Sequence, residues 1–152
     1  MIQAKHVMVR EVISVTPETP VDEIARLFVE HGISGVPVID AERRVVGMVT
    51  DSELFLKEKG IPFSAVKLPS LFRQWVDPAH LADIYAQAKH HTAADVMSEN
   101  PVCVNMDDDI GQVAWVMAQN DVNHVPVVRQ GVLAGFISRI DLIRYLAQRR
   151  RQ

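Results

Sequence analysis

Apolar residues in this chain occur either in short runs or at helical spacing, and the two patterns predict alternating strands and helices. Runs rich in β-branched residues predict strands at 12–16, 36–39, 45–50, 102–104, 125–128 and 132–138. Spacing of i, i+3, i+4, i+7 predicts two amphipathic helices, built on Val21, Ile24, Ala25 and Phe28 and on Ile110, Val113, Ala114 and Met117. Final helices are predicted at 51–59 and 139–149. The order is β-α-β-β-α, twice.

Local signals mark the ends of these helices. Thr19 is predicted to be the N-cap of the first long helix, with Pro20 at its first helical position, and Asp108 is predicted to cap the equivalent helix. Gly32 can close the first helix in a left-handed conformation. Gly60 is expected to stop the helix that begins at residue 51.

The two halves of the chain repeat one another. At an offset of 89 positions Met8 falls on Met97, and the Val-Pro-Val run at 36–38 falls on 125–127. One residue is deleted after Val128, so the offset becomes 88, and three further pairs align: Gly47 with Gly135, Thr50 with Ser138, and Glu53 with Asp141. Such self-similarity is typical of a duplicated structural unit. It predicts repeats at 4–55 and 93–145 and a basic tail at 146–152.

The segment between the repeats, 56–92, has the composition of ordered structure. Pro62, Pro69 and Pro78 divide it, and the residues after Pro78 have helical apolar spacing. A disordered linker would not normally contain several aromatic residues and a helix cap. We therefore expect an ordered, partly helical insert.

Each repeat carries the same short motifs: a Val-Met pair, a β-branched run, a Val-Pro-Val strand, and a Gly-led strand that ends in hydroxyl-x-x-acid-Leu. They stand at 7–8, 13–16, 36–38 and 47–54, and again at 96–97, 102–104, 125–127 and 135–142. The pattern resembles the cystathionine-β-synthase (CBS) domain. The tandem arrangement resembles a Bateman module of the kind found in stand-alone bacterial-type CBS-pair proteins.

The resemblance implies an α/β fold of the α+β type, in which the two repeats pack with pseudo-two-fold symmetry. It implies a regulatory protein that senses an adenine nucleotide or related adenosyl compound in the cleft between the repeats. That ligand would be AMP, ADP, ATP, NAD or S-adenosylmethionine, and no cofactor would be required. It also implies a homodimer, with the signal passed to this dimer or to a protein partner whose identity the sequence leaves open.

Residues at the start of the last predicted helix suit a nucleoside phosphate. An ionised carboxylate such as Asp141 can accept both ribose hydroxyls, and a hydroxyl such as Ser138 at a helix N-terminus can donate to phosphate. The resemblance implies these same roles, with Val125 as an apolar wall beside the base. The predicted second-repeat site comprises Asn123, His124, Val125, Pro126, Ser138, Arg139 and Asp141.

The equivalent positions of the first repeat depart from this pattern. Glu53 stands where Asp is expected, and its extra methylene displaces the carboxylate by about one bond length. Asp51 replaces the equivalent Arg139, so an arriving anion meets a negative neighbour. We therefore rank this site second and expect it to be empty or to take an uncharged adenosyl group. It comprises Thr16, Ser34, Gly35, Val36, Pro37, Thr50 and Glu53.

A structural interpretation of the same residues remains open. Ser138 and Thr50 are good N-cap residues, and Asp141 and Glu53 are first-turn acids that the helix dipole favours. The hydroxyl and the acid of each pair could therefore serve only to start a helix.

The sequence shows no catalytic constellation, because no Ser-His-Asp or Cys-His arrangement and no Gly-rich phosphate loop has supporting context. His80 and His91 would share a helix face but lie about 16 Å apart along it, too far for one zinc ion. Neither a catalytic residue nor a metal site is predicted.

Composition narrows the class of protein. The 152 residues are 48% hydrophobic and 23% charged, which is typical of a globular protein. The net charge of −3 disfavours a nucleic-acid partner. No apolar run approaches the roughly 20 residues that cross a membrane, and the N-terminus does not resemble a signal peptide. The single cysteine, Cys103, fits a reducing compartment, so we expect a cytoplasmic protein.

Two functions from different classes fit these observations. The first is a regulatory module that senses an adenosyl ligand. The alternative is a ligand-free CBS module that acts by dimerisation or protein interaction alone. An enzyme is not expected.

Overall fold

The computed structural model describes residues 1–55 and 90–150. Most of the predicted insert lies outside these residues, including the helix expected after Pro78, the helix end expected at Gly60, and His80. The described residues fall into two compact units, one within Met1–Ile13, Ile39–Val46 and Asn100–Gln152 and the other within Ser14–Val38 and Gly47–Glu99. We name them the second-repeat unit and the first-repeat unit, after the repeat that supplies most of each.

The helices and strands include most of those predicted, in the predicted order, together with three short elements that the sequence patterns do not predict. In chain order they are α1 (Ala4–Val7), α2 (Val21–His31), β1 (Gly35–Ile39), β2 (Val45–Thr50), α3 (Asp51–Phe55), α4 (Ala93–Val96), β3 (Ser98–Glu99), β4 (Val104–Asn105), α5 (Ile110–Gln119), β5 (His124–Arg129), β6 (Val132–Ser138) and α6 (Arg139–Arg149). Strands β2 and β6 and helix α6 have the predicted bounds. The strand predicted at 12–16 is only a single parallel bridge between Val15 and Val38.

The strands form two three-stranded sheets, ordered β1-β2-β3 and β4-β5-β6. In the first sheet β3 runs antiparallel to β2. In the second, β4 is parallel to β5, whereas β5 and β6 form an antiparallel hairpin. The predicted mixed α/β class is confirmed.

The short segments that begin the repeats, residues 4–9 and 93–99, each pack with the sheet of the other repeat. We name them the lead segments. Val9 pairs with Phe136 of β6, and Ser98 pairs with Met48 of β2. The sequence patterns do not indicate α1, α4 or β3, because two to four residues are too few to show a hydrophobic period.

The predicted N-cap of α2 is wrong. Pro20 occupies the N-cap position, and the Thr19 Oγ1 instead accepts a hydrogen bond from the Thr16 N–H at 3.0 Å. The Thr19 hydroxyl thus closes the turn before the helix. At the other end, Gly32 closes α2 with φ 61°, as predicted.

The predicted N-cap of α5 is wrong by one residue. Asp109 caps this helix and accepts a hydrogen bond from the Gly111 N–H at 2.8 Å. The carboxylate of Asp108 accepts from the Asn105 N–H instead, also at 2.8 Å. Either of two adjacent aspartates can cap a helix. Here Asp108 stabilises the turn after β4, and Asp109 caps the helix.

The core of the second-repeat unit joins α1, α5 and the sheet. Its buried residues are Ala4, Met8, Val104, Val113, Met117, Val125, Val127 and Ile137. Burial of each Val, Ile or Met side chain contributes roughly 1.5–3 kcal/mol, so the buried Met8 helps to hold the lead segment in place, together with backbone hydrogen bonds such as those between Val9 and Phe136. Across 1–55 and 90–150, no helix is both long enough and apolar enough to span a membrane.

Candidate functional site

The second-repeat site lies where β5 begins and β6 runs into α6. The antiparallel register places His124 opposite Ser138. The Arg139 N–H donates to the Asn123 carbonyl at 3.0 Å, which joins the first turn of α6 to the residue before β5. The structure therefore brings four of the predicted site residues together through backbone pairing alone.

Ser138 and Asp141 form a capping box at the start of α6. The Asp141 Oδ2 accepts hydrogen bonds from both the N–H and the hydroxyl of Ser138, each at 2.8 Å. The structural interpretation of this pair is thus realised. It uses only one carboxylate oxygen, so it does not exclude a ligand on the other.

The other oxygen of Asp141, Oδ1, has a single hydrogen-bond or ion-pair partner among the described residues. The guanidinium of Arg144 lies 3.5 Å away, and its side chain is 64% exposed whereas that of Asp141 is 10% exposed. The guanidinium is exposed, and 3.5 Å is long for a charge-assisted hydrogen bond, so this contact is weak. Among the described residues, Asp141 therefore keeps one acceptor oxygen that makes no strong hydrogen bond.

Arg139 supplies positive charge one residue after Ser138. Its guanidinium lies 3.5 Å from the carboxylate of Asp121, and the two side chains are 55% and 97% exposed. Such a surface pair is weak. Arg139 can consequently exchange this carboxylate for another anion at little cost.

An aromatic pair adjoins the same strand ends. The His124 imidazole stacks on the Phe136 ring with centroids 5.7 Å apart and planes at 20°. The sequence patterns do not single out Phe136 as a site residue, although its alternate-strand spacing from Ser138 places it on the same face of β6.

Val125 and Pro126 are buried inside the second-repeat unit, and Val125 has no exposed surface. The Val125 side chain packs into the core. In this conformation Val125 offers no accessible surface to a base, so the apolar wall predicted for it is not exposed.

The first repeat reproduces the backbone frame of this site. The Asp51 N–H donates to the Ser34 carbonyl at 3.0 Å, just as Arg139 bonds to Asn123 in the second repeat. Gly35, Val36 and Pro37 are buried in β1. Thr16 follows Val15, whose N–H donates to the Pro37 carbonyl at 3.0 Å, and it forms a turn with Thr19.

The carboxylate of the first repeat is bonded differently. Glu53 Oε2 accepts from the N–H of Thr50 at 2.7 Å and also from the Thr50 hydroxyl. Glu53 Oε1 accepts from the Ser98 hydroxyl at 2.6 Å. Burial raises the pKa of the Glu53 carboxyl, but the hydrogen bonds from Ser98 and Thr50 outweigh it and the net pKa is lowered.

Within residues 1–55 and 90–150, no group of three or more His, Cys, Asp or Glu side chains is placed to hold a metal ion. His91 is among these residues, whereas its predicted helical partner His80 is not.

Comparison with known families identifies the fold. The sequence-family model of the CBS domain matches residues 4–59 and 93–148. These matches cover most of the chain, which therefore belongs to the CBS-domain family.

Two curated relatives are similar over nearly the whole chain. The inosine-5'-monophosphate dehydrogenase of Korarchaeum cryptofilum is 30% identical over 141 residues, which are 92% of this chain and 23% of that protein. The chloroplastic CBS domain-containing protein CBSX1 of Arabidopsis thaliana is 29% identical over 142 residues, 90% of this chain and 60% of that protein. The chain thus spans less than two thirds of either relative.

Solved structures share the fold. Arabidopsis thaliana CBSX2, a CBS-pair protein, superposes with a TM-score of 0.78 at 24% identity, covering 99% of this chain and 97% of that one. CBSX2 in complex with AMP gives 0.74 at 22% identity, covering 99% of both chains. The CBS domain pair of protein MJ0100, in complex with 5'-methylthioadenosine and S-adenosyl-L-methionine, gives 0.71 at 19% identity, covering 98% of both.

Proposed function

We propose that this chain is a regulatory module that binds an adenine nucleotide or related adenosyl compound at the second-repeat site. The observation that carries the proposal is the geometry of Asp141. One of its oxygens is held by the capping box with Ser138, while the other has only the weak Arg144 contact at 3.5 Å among the described residues. A fixed, largely buried carboxylate with an available oxygen suits a ribose diol.

The same site can receive the phosphate. On binding, the Ser138 hydroxyl exchanges its bond to Asp141 for a bond to a phosphate oxygen, while the Ser138 N–H keeps the carboxylate in place. Arg139 leaves Asp121 and supplies a positive charge. The stacked rings of His124 and Phe136 offer a flat aromatic surface near the sugar.

Two structures of the same fold support this class of ligand. CBSX2 binds AMP, and the MJ0100 pair binds 5'-methylthioadenosine and S-adenosyl-L-methionine. A ligand regulates by binding one conformational state more tightly than another. The signal would pass from this module to a protein partner or to its own dimer.

Thermal unfolding with AMP, ADP, ATP, NAD and S-adenosylmethionine tests the proposal. A ligand present at 100 times its Kd stabilises the protein by about 2.7 kcal/mol, which is a shift of several degrees. We expect a shift with at least one compound and its loss in Asp141→Asn. Asp95→Asn is the matched control, since Asp95 forms the same capping box with Thr92 in α4. No shift with any compound in the folded protein would contradict the proposal.

The exposed apolar face of α6 favours a second function, self-association. Ile140, Ile143 and Leu146 are 57%, 59% and 63% exposed, although they recur every three residues along one helix. Contiguous apolar surface of this kind marks interaction sites. We propose that a second copy of this chain covers it, and a homodimer without ligand remains the alternative account of the protein.

The mass in solution tests the dimer. We expect the wild-type protein to sediment as a dimer and Ile143→Glu to sediment as a monomer with unchanged circular dichroism. Val29→Glu, at an apolar position on α2 that is even more exposed, is the control. A wild-type monomer at micromolar concentration would contradict self-association.

We also propose that the module binds its ligand without converting it, and that it works in the cytoplasm. Burial raises the pKa of the Cys103 thiol, which supports an inert thiol over a nucleophilic one. Incubation of each compound with the protein, followed by chromatography, should return the compound unchanged. Formation of a product by wild type but not by Asp141→Asn would show an enzyme instead.

A further inference from the structure

Ser98 is held in place by the first sheet. It begins β3 and lies opposite Met48 in the antiparallel pairing with β2. Its hydroxyl donates to the Glu53 Oε1 at 2.6 Å, while the Thr50 N–H donates to Oε2. Both carboxylate oxygens of the first repeat are therefore bonded within the chain.

The equivalent position in the second repeat lacks this hydroxyl. Val9 pairs with Phe136 as Ser98 pairs with Met48, and the Val9–Phe136 backbone bonds are 2.9 and 3.0 Å long. The duplication relates Val9 to Ser98, at the offset of 89, and Glu53 to Asp141, at the offset of 88 that applies after Val128. A valine side chain cannot donate to Asp141, so among the described residues the carboxylate of the second repeat keeps an available oxygen, whereas that of the first repeat does not.

We propose that Ser98 closes the first-repeat site by supplying, from within the chain, the hydroxyl that a ribose would otherwise supply. The inference rests on the proposed function of Asp141, because it treats Glu53 Oε1 as the equivalent of Asp141 Oδ1, the oxygen proposed to accept a ribose hydroxyl. It predicts that one chain binds one adenosyl ligand, at the second repeat.

The energetic argument is one of competition. A ribose hydroxyl could offer Glu53 no better bond than Ser98 already makes, and the displaced serine would lose its own partner. The competitor is intramolecular and fixed by strand pairing, so its effective concentration is high. The bond to Ser98 also explains why Glu stands at position 53 where the second repeat has Asp, because the extra methylene extends the reach of the carboxylate toward β3.

Ligand stoichiometry tests the inference. Equilibrium dialysis with AMP, and in parallel with S-adenosylmethionine, should give one ligand per wild-type chain. The variant Ser98→Val/Glu53→Asp installs the pair found in the second repeat and should gain a second, weaker site. Adding Asp141→Asn to this variant should leave only the new site. Two ligands on the wild type, or no increase in the variant, would overturn the role of Ser98.

A measurement without ligand separates this inference from the proposed function. Because Ser98 and Glu53 share one hydrogen bond, the losses in unfolding midpoint caused by Ser98→Ala and Glu53→Gln should be less than additive in the double variant. Additive losses would overturn the inference whether or not any compound binds. A wild type that binds nothing, combined with less than additive losses, would reject the proposed function and leave the internal bond standing.

Discussion

Met8 lies over Gly135 so closely that no side chain would fit between them. A Cβ added to Gly135 would come within 2.3 Å of the Met8 Sδ and 2.7 Å of its Cγ. The same relationship holds between Met97 and Gly47, where the added Cβ would lie 2.4 Å from the Sδ. In both units, a glycine of the sheet thus allows a methionine side chain of the lead segment to pack directly against the strand backbone.

Gly135→Ala should therefore destabilise the protein. The added methyl group forces Met8 to move within a packed core, and such overpacking typically costs about 1–3 kcal/mol. Urea unfolding measures the loss. In a Met8→Ala background the same glycine substitution should cost less than half as much, because the obstructing side chain is gone. Equal losses in the two backgrounds would rule out this contact as the cause.

Ser98→Ala should destabilise the protein in a pH-dependent way. The pKa of Glu53 is lowered in the folded state, in part by the Ser98 bond. A lowered pKa stabilises the fold at pH values above the unfolded-state pKa of about 4.3, and this contribution is lost as the pH falls through the lower folded-state pKa.

We expect a deficit of about 1 kcal/mol at pH 7 that shrinks below about pH 4. Urea unfolding across this pH range gives the profile. Ser52→Ala is the control, since Ser52 is exposed and its effect should not change with pH. A deficit in Ser98→Ala that stays constant from pH 7 to pH 3 would contradict a stabilising contribution from the bond to the ionised Glu53.

Arg139→Ala should separate phosphate recognition from nucleoside recognition. Arg139 is exposed and only weakly paired with Asp121 at 3.5 Å, so it can turn to a phosphate. We expect AMP affinity to fall about three- to tenfold, corresponding to roughly 1 kcal/mol, while adenosine affinity is unchanged. Arg150→Ala removes the same charge at the far end of α6. Equal effects of the two variants would indicate that AMP responds to the net charge of the protein and not to a local contact with Arg139.

Much of the second-repeat site could be predicted from the sequence, because it follows from backbone pairing. A Val-Pro-Val strand and a Gly-led strand joined by a tight turn bring His124 opposite Ser138 with little freedom. The hydroxyl and the acid three residues later begin a helix wherever they occur. The predicted bounds of β6 and α6 are therefore confirmed.

The contacts made by the lead segments could not be predicted in the same way. They depend on which sheet a four-residue helix joins, and no local pattern determines that choice. The duplication held a further signal, however: at the offset of 89, Ser98 falls on Val9. A polar residue replacing an apolar one beside a candidate carboxylate marks the position where the two repeats differ in chemistry.

The most direct test of ligand binding at the second repeat compares the two equivalent carboxylates, Asp141 and Glu53, by titration with the same ligand. Calorimetry with AMP on Asp141→Asn and Glu53→Gln removes one charge from each repeat and leaves each side chain nearly the same size. The account predicts that Asp141→Asn loses binding at least tenfold, whereas Glu53→Gln retains wild-type affinity and a stoichiometry of one. Loss of binding in Glu53→Gln, with Asp141→Asn unaffected, would contradict it.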